Sequence, residues 1–263
     1  MKLHALSAAV CAALLAVGPA AAQTQDQIDA ARAEAAQYTD AELLAQIRQG
    51  MDGEAPEYFR LLRQSFPDEV AELEATMLRE TRAGRLHGRQ AAELGYNFAR
   101  ELSLKHRPEL GNAPLDEVVM TLGAQLETLK VLRQYNLVAC AELGEIGGLS
   151  LESAASLPAP ASDAMKSFAL RQMKAMLAAR QRPARHGVLT QEDLDRILKA
   201  YERSGGRLDV LGAMGDATSP FSPAERCESS IVLMQVVLDQ PRPIMGRFWR
   251  FLAEPPEELP RGA

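Results

Sequence analysis

Apolar residues recur along this chain at intervals of three and four, the period of one helix face. The two-residue alternation of a half-buried strand does not recur. Thr24 opens a polar, Ala-rich stretch of helical character. Thr39 followed by Glu42 is a capping box, in which hydroxyl and carboxylate each accept a backbone N–H of the first turn. Leu43, Leu44 and Ile47 then predict a short amphipathic helix ending near Gly50 or Gly53. Pro56 opens a helix carrying Tyr58, Phe59, Leu61 and Leu62, and Pro67 suits the first turn of another. The apolar face of that second helix is Val70, Leu73, Met77 and Leu78, with Gly84 and Gly88 placed to end or bend it. Leu94, Phe98, Leu102 and Leu104 predict the next helix, stopped by Pro108. A long central helix is predicted between Pro114 and Asn136, buried along Val118, Val119, Leu122, Leu126, Leu129 and Leu132. A short helix through Leu137, Cys140 and Leu143 follows, closing at Gly144 or Gly147.

Residues 148–162, with several Ser and Ala and two prolines, read as a linker between two halves. Beyond it, Met165, Ala169, Met173, Met176 and Leu177 form one stripe, which fits a buried core better than an adaptable binding surface. Thr190 with Asp193 caps a helix bearing Leu194, Ile197, Leu198 and Tyr201, ended by Gly205 and Gly206. Residues 208–214 make one short turn or helix. Ser222, Pro223 and Glu225 form the clearest helix start in the chain, leading a face of Cys227, Ile231, Met234 and Leu238. A last helix after Pro241 carries Ile244, Phe248, Trp249 and Leu252, and its segment Phe248–Phe251 suits docking on the core better than a protein-binding anchor. The expected fold class is therefore all-α, an irregular multi-helix bundle spanning residues 23–254. Residues 255–263, rich in Pro and Glu, read as a disordered tail.

The N-terminus changes the setting of this bundle. Lys2 starts a short basic region, residues 5–17 are apolar apart from Ser7, and Gly18 and Pro19 break the run before three alanines. That layout predicts a secretory signal cleaved after Ala22. The apolar run falls short of the roughly 20 residues that span a bilayer. The expected location is the periplasm, with secretion beyond it as the alternative, and no stable membrane insertion after cleavage. Removing residues 1–22 from the 263 leaves 241 residues, enough for one sizeable core, and loss of Lys2 takes the formal net charge from −6 to about −7. An acidic chain with one Trp disfavours nucleic-acid binding.

Cleavage also removes Cys11 and leaves Cys140 and Cys227 in a compartment that permits oxidation. Neither sits in a CxxC pair, so a structural bridge between them is expected, stapling the two halves into one domain.

Candidate chemistry is sparse. His87, His106 and His186 lie in Arg-rich contexts without metal-ligand spacing and read as surface histidines, so no metal and no cofactor is expected. Serine-hydrolase and phosphate-loop motifs find no match. Glu142 and Glu145, close to Cys140 among apolar neighbours, are the carboxylates best placed for a glycan-cleaving acid, though a solvated helix face suits them better. Arg79, Arg82, Arg85 and Arg89 fall on one helical stripe if the helix continues through Gly84, a candidate anion- or partner-binding face. Arg171, Lys174, Arg180, Arg182 and Arg185 form a second basic stretch. The leading expectation is an exported non-enzymatic protein-interaction or inhibitor-type module with a partner in the cell envelope. A helical cell-wall glycan enzyme and a binder of an anionic small molecule are the alternatives.

Overall fold

The computed structural model describes residues 24–86, 88–216 and 218–254, omitting the side chains of Gly88, Arg89 and Ala92. The expected signal segment over residues 1–22, His87 and the expected disordered tail over residues 255–263 lie outside the described residues. Among the described residues there are fourteen helices and no strand: α1 (Gln25–Ala35), α2 (Asp40–Glu54), α3 (Pro56–Ser65), α4 (Pro67–Arg82), α5 (Gly88–Lys105), α6 (Arg107–Leu110), α7 (Leu115–Tyr135), α8 (Leu137–Ile146), α9 (Leu151–Ala155), α10 (Ala159–Gln181), α11 (Gln191–Arg203), α12 (Leu208–Gly212), α13 (Pro223–Leu238) and α14 (Arg242–Ala253). None is long and apolar enough to cross a membrane.

The helix starts follow local chemistry. Thr24, Thr39, Thr190 and Ser222 each close a reciprocal capping box with the residue three positions on. Pro56 and Pro67 occupy first turns, where a missing N–H costs nothing. The glycines offered as helix ends sort by conformation. α2 runs through Gly50 and Gly53, neither of which has a positive φ, and ends one residue past Gly53, at Glu54. Of the two glycines expected to close α8, Gly144 is interior and left-handed Gly147 ends it. The glycine at 144 serves close approach: a Cβ there would stand 1.9 Å from the Ser230 hydroxyl of α13. Residues 148–162 are not an open linker. They hold α9, capped by Ser150, and the first turn of α10.

α7 is the axis of the assembly. It packs on one side against α10 and on the other against α8 and α13. Val118, Leu122, Leu129 and Leu132 are fully covered there. Thr128 donates its hydroxyl to Ala124 O and also reaches Ala164 O of α10. The first four helices gather on one flank, tied through α3 to α10, while α14 lies against α6 and α7. One apolar cluster runs from Met51 to Trp249 and takes residues from both sides of 148–162. Met165, Met173 and Met176 are inside it. Trp249 is 0% exposed and donates its indole N–H to Leu110 O at 2.8 Å, so the polar edge of the ring is satisfied where it is buried.

Cys140 of α8 and Cys227 of α13 stand at disulfide distance, 2.04 Å between sulfurs. The same helix pair carries a second link. Arg226 donates to both oxygens of Glu145 at 2.9 and 3.1 Å, and that carboxylate is 6% exposed.

Candidate functional site

The basic stripe does not form. α4 ends at Arg82, because Gly84 takes a left-handed φ of 70° and presses its backbone onto α1, where a Cβ would come within 2.3 Å of Ile28 O. Arg85 therefore lies in the connection and Arg89 on α5. Arg79 bonds the Thr76 hydroxyl. Arg82 donates to Ala35 O and Tyr38 O around the end of α1, and to Asp40. Arg85 grips Glu80 through two bonds of 2.7 and 3.1 Å. Arg82 and Arg85 thus point at different carboxylates. Glu74 pairs with Arg48 of α2. The second basic stretch is likewise dispersed, with Lys174 on Glu57 and Arg180 on Glu109.

The two candidate carboxylates have structural duties. Glu142 accepts the backbone N–H and hydroxyl of Ser150, fixing the turn into α9. Burial pushes the Glu145 carboxyl above its usual range, opposed by the charge of Arg226. Neither lines any of the three clefts described in this structure.

The expectation of surface histidines is corrected for both described ones. His106 is 5% exposed and packs against Phe66 with the rings tilted by 51°. Its Nε2 faces Glu69 at 3.4 Å and its Nδ1 faces Glu109 at 3.1 Å. His186 is half-buried, with Nε2 2.7 Å from Ala113 O and its ring over Gly246. Their positions between helices are set by residues up to 74 apart in sequence, which no local pattern displays. No cluster of His, Cys, Asp or Glu among the described residues is arranged to hold a metal ion.

One surface cleft takes Arg250 and Phe251 from the Phe248–Phe251 segment that the sequence offers as a protein-binding anchor. A cleft of about 350 Å³ opens between residues 187–194 and α14. Val188, Leu189, Leu194 and Phe251 give it an apolar lining, and Val188 is 76% exposed. Paired charges brace its walls. Arg247 of α14 grips Asp193 of α11 through two bonds of 2.7 Å, and Asp193 also accepts from the backbone and hydroxyl of Thr190. Arg250 donates to His186 O at 2.8 Å and meets Glu254. The capping pair Thr190–Asp193 was visible in sequence; its partner Arg247, 54 residues on, was not.

The Arg247 guanidinium, aided by the Thr190 donors, holds the Asp193 carboxyl well below its usual range. Asp193→Ala removes a cap and a charged fork together and is expected to cost about 2–3 kcal/mol at neutral pH, measured by urea denaturation. Because the folded pKa is depressed, that stabilisation is present above the ordinary value of 3.8. It is lost as the pH falls toward the folded value, so the gap between variant and parent should narrow on acidification.

Comparison of the chain with protein-family models, curated proteins and solved structures gives no match.

Proposed function

We propose that this protein is an exported, non-enzymatic interaction module of the bacterial cell envelope, which receives an apolar anchor of a protein partner in the cleft between 187–194 and α14. The exported setting rests on the three-part layout of residues 1–22. One observation carries the binding reading. An apolar-lined cleft of about 350 Å³ stands open between 187–194 and α14, with Val188 held out at its edge. A lining of this kind, braced by Arg247–Asp193 and Arg250–Glu254, is suited to a buried apolar side chain with polar contacts at its rim. The Thr190 hydroxyl is engaged by Asp193 within the cap.

Replacing Val188 with a photo-crosslinking phenylalanine in cells tests this. A discrete protein adduct is expected from position 188. None is expected from exposed Glu34 on α1. Leu194→Asp, which puts a charge on the cleft wall, should reduce the adduct at least tenfold, since an unpaired carboxylate in an apolar site is strongly disfavoured. Absence of an adduct at 188, together with release of muropeptides from purified cell wall by the protein, would overturn the proposal in favour of a glycan-acting enzyme.

A further inference from the structure

A second groove, distinct from the cleft above, has a different chemistry. It runs between α4 and α5 with a volume of about 380 Å³. Leu73 and Leu102 form its floor, Leu94 and Phe98 its half-buried wall. Glu69, Glu72 and Glu101 stand on its rim with a single cation, Lys105. Lys105 is spent on Glu69, at 2.7 Å. Glu72 and Glu101 are exposed, and neither makes an ion pair with a described lysine or arginine. The field there is felt by Lys105 itself: hydrogen bonding and charge from Glu69, with Glu72 and Asp68 adding, hold its ammonium above the usual lysine range. The lining residues recur at helical spacing, Glu69, Glu72 and Thr76 on one side and Leu94, Phe98, Glu101 and Lys105 on the other. At 1.5 Å per residue the longer row extends about 16 Å, room for a peptide of four or five extended residues.

We infer that this groove is a docking surface for a basic amphipathic segment of a partner protein, one that sets lysine or arginine beside apolar side chains. An apolar floor favours the second element and two uncompensated rim carboxylates favour the first. The two requirements together exclude a simple polycation, which leaves the floor uncovered, and an apolar anchor alone, which leaves the carboxylates without a partner.

The test uses the signal-processed protein and a dye-labelled eight-residue peptide alternating leucine and lysine, followed by fluorescence anisotropy. Saturable binding is expected, at least tenfold tighter than that of peptides alternating leucine with glutamate or serine with lysine. Glu72→Gln with Glu101→Gln should weaken it about five- to tenfold, as loss of two exposed ion pairs implies, without moving the melting temperature. Amide shifts should change along residues 69–76 and 94–105. Equal binding by spermine or by the serine–lysine peptide would overturn the inference, because the apolar floor would then contribute nothing. So would binding unaltered by the double Gln variant, or concentration-dependent dimerisation abolished by it, which would give the groove to a second copy of the chain. Position 188 lies outside this groove, so crosslinking there reports on the first cleft independently.

Discussion

Reducing the bond between Cys140 and Cys227 is expected to lower the stability of the fold by about 4–5 kcal/mol, the loop-closure estimate for a ring of this size. The two residues are 87 apart in sequence, and the ring they close contains α9, α10, α11 and α12. Most of the effect acts on the unfolded chain, whose freedom the bridge restricts. Denaturant midpoints with and without a phosphine reductant measure it, and Cys140→Ala with Cys227→Ala should reproduce the reduced value. Both sulfurs are fully covered, so reductant reaches them only through opening of the α8–α13 interface, and the reduction rate should rise with denaturant well below the midpoint. Two thiols that alkylate in the unreduced protein, or a midpoint indifferent to reductant, would refute this account.

Arg226→Met is expected to cost about 3–5 kcal/mol at pH 8, comparable to the bridge beside it, because it leaves Glu145 as an uncompensated buried carboxylate. The pH dependence separates this from a packing effect. Burial already raises the folded pKa of Glu145 above its unfolded value. For such a group, stability is highest while the carboxyl is protonated and declines as the pH rises from the ordinary glutamate value of 4.5 through the folded one. Without Arg226 the folded value moves further up, the window of decline widens, and the variant loses more stability than the parent between about pH 5 and pH 8. The deficit should therefore shrink at pH 5. Arg226→Met combined with Glu145→Leu should recover most of it, since an apolar pair of similar volume replaces an ion pair without an orphaned charge. A deficit equal at the two pH values would show that lost packing, not the stranded carboxylate, is the cause.

The parts of this protein that were legible in its sequence are those whose physics is local. Thr39–Glu42, Thr190–Asp193 and Ser222–Glu225 mark helix starts within a single turn, and the structure closes each as a capping box. Periodicity along Val118, Leu122, Leu129 and Leu132 identified the buried side of the central helix. Other signals were ambiguous because one residue type serves two ends. Gly84 breaks a helix by taking a positive φ, whereas Gly50 and Gly53 remain helical and Gly144 admits Ser230. The basic stripe failed for that reason: its alignment needed Gly84 to stay helical, and close packing on α1 turned it left-handed.

The sequence by itself determined that the fold is all-α and where most helices begin, and it predicted the pairing of Cys140 with Cys227, which the structure places at disulfide distance. The first two follow from one-face periodicity and from hydrogen bonds within a turn; the third follows from counting thiols once Cys11 is assigned to the expected signal segment. Only the tertiary structure decided that Glu145 meets Arg226 across 81 residues, that His106 is enclosed between Glu69 and Glu109, and that Arg247 braces a cleft on Asp193. Those arrangements depend on which helix faces which. Side-chain periodicity names a buried face but not its partner, and the charges that end up paired are chosen by the packing that brings them together.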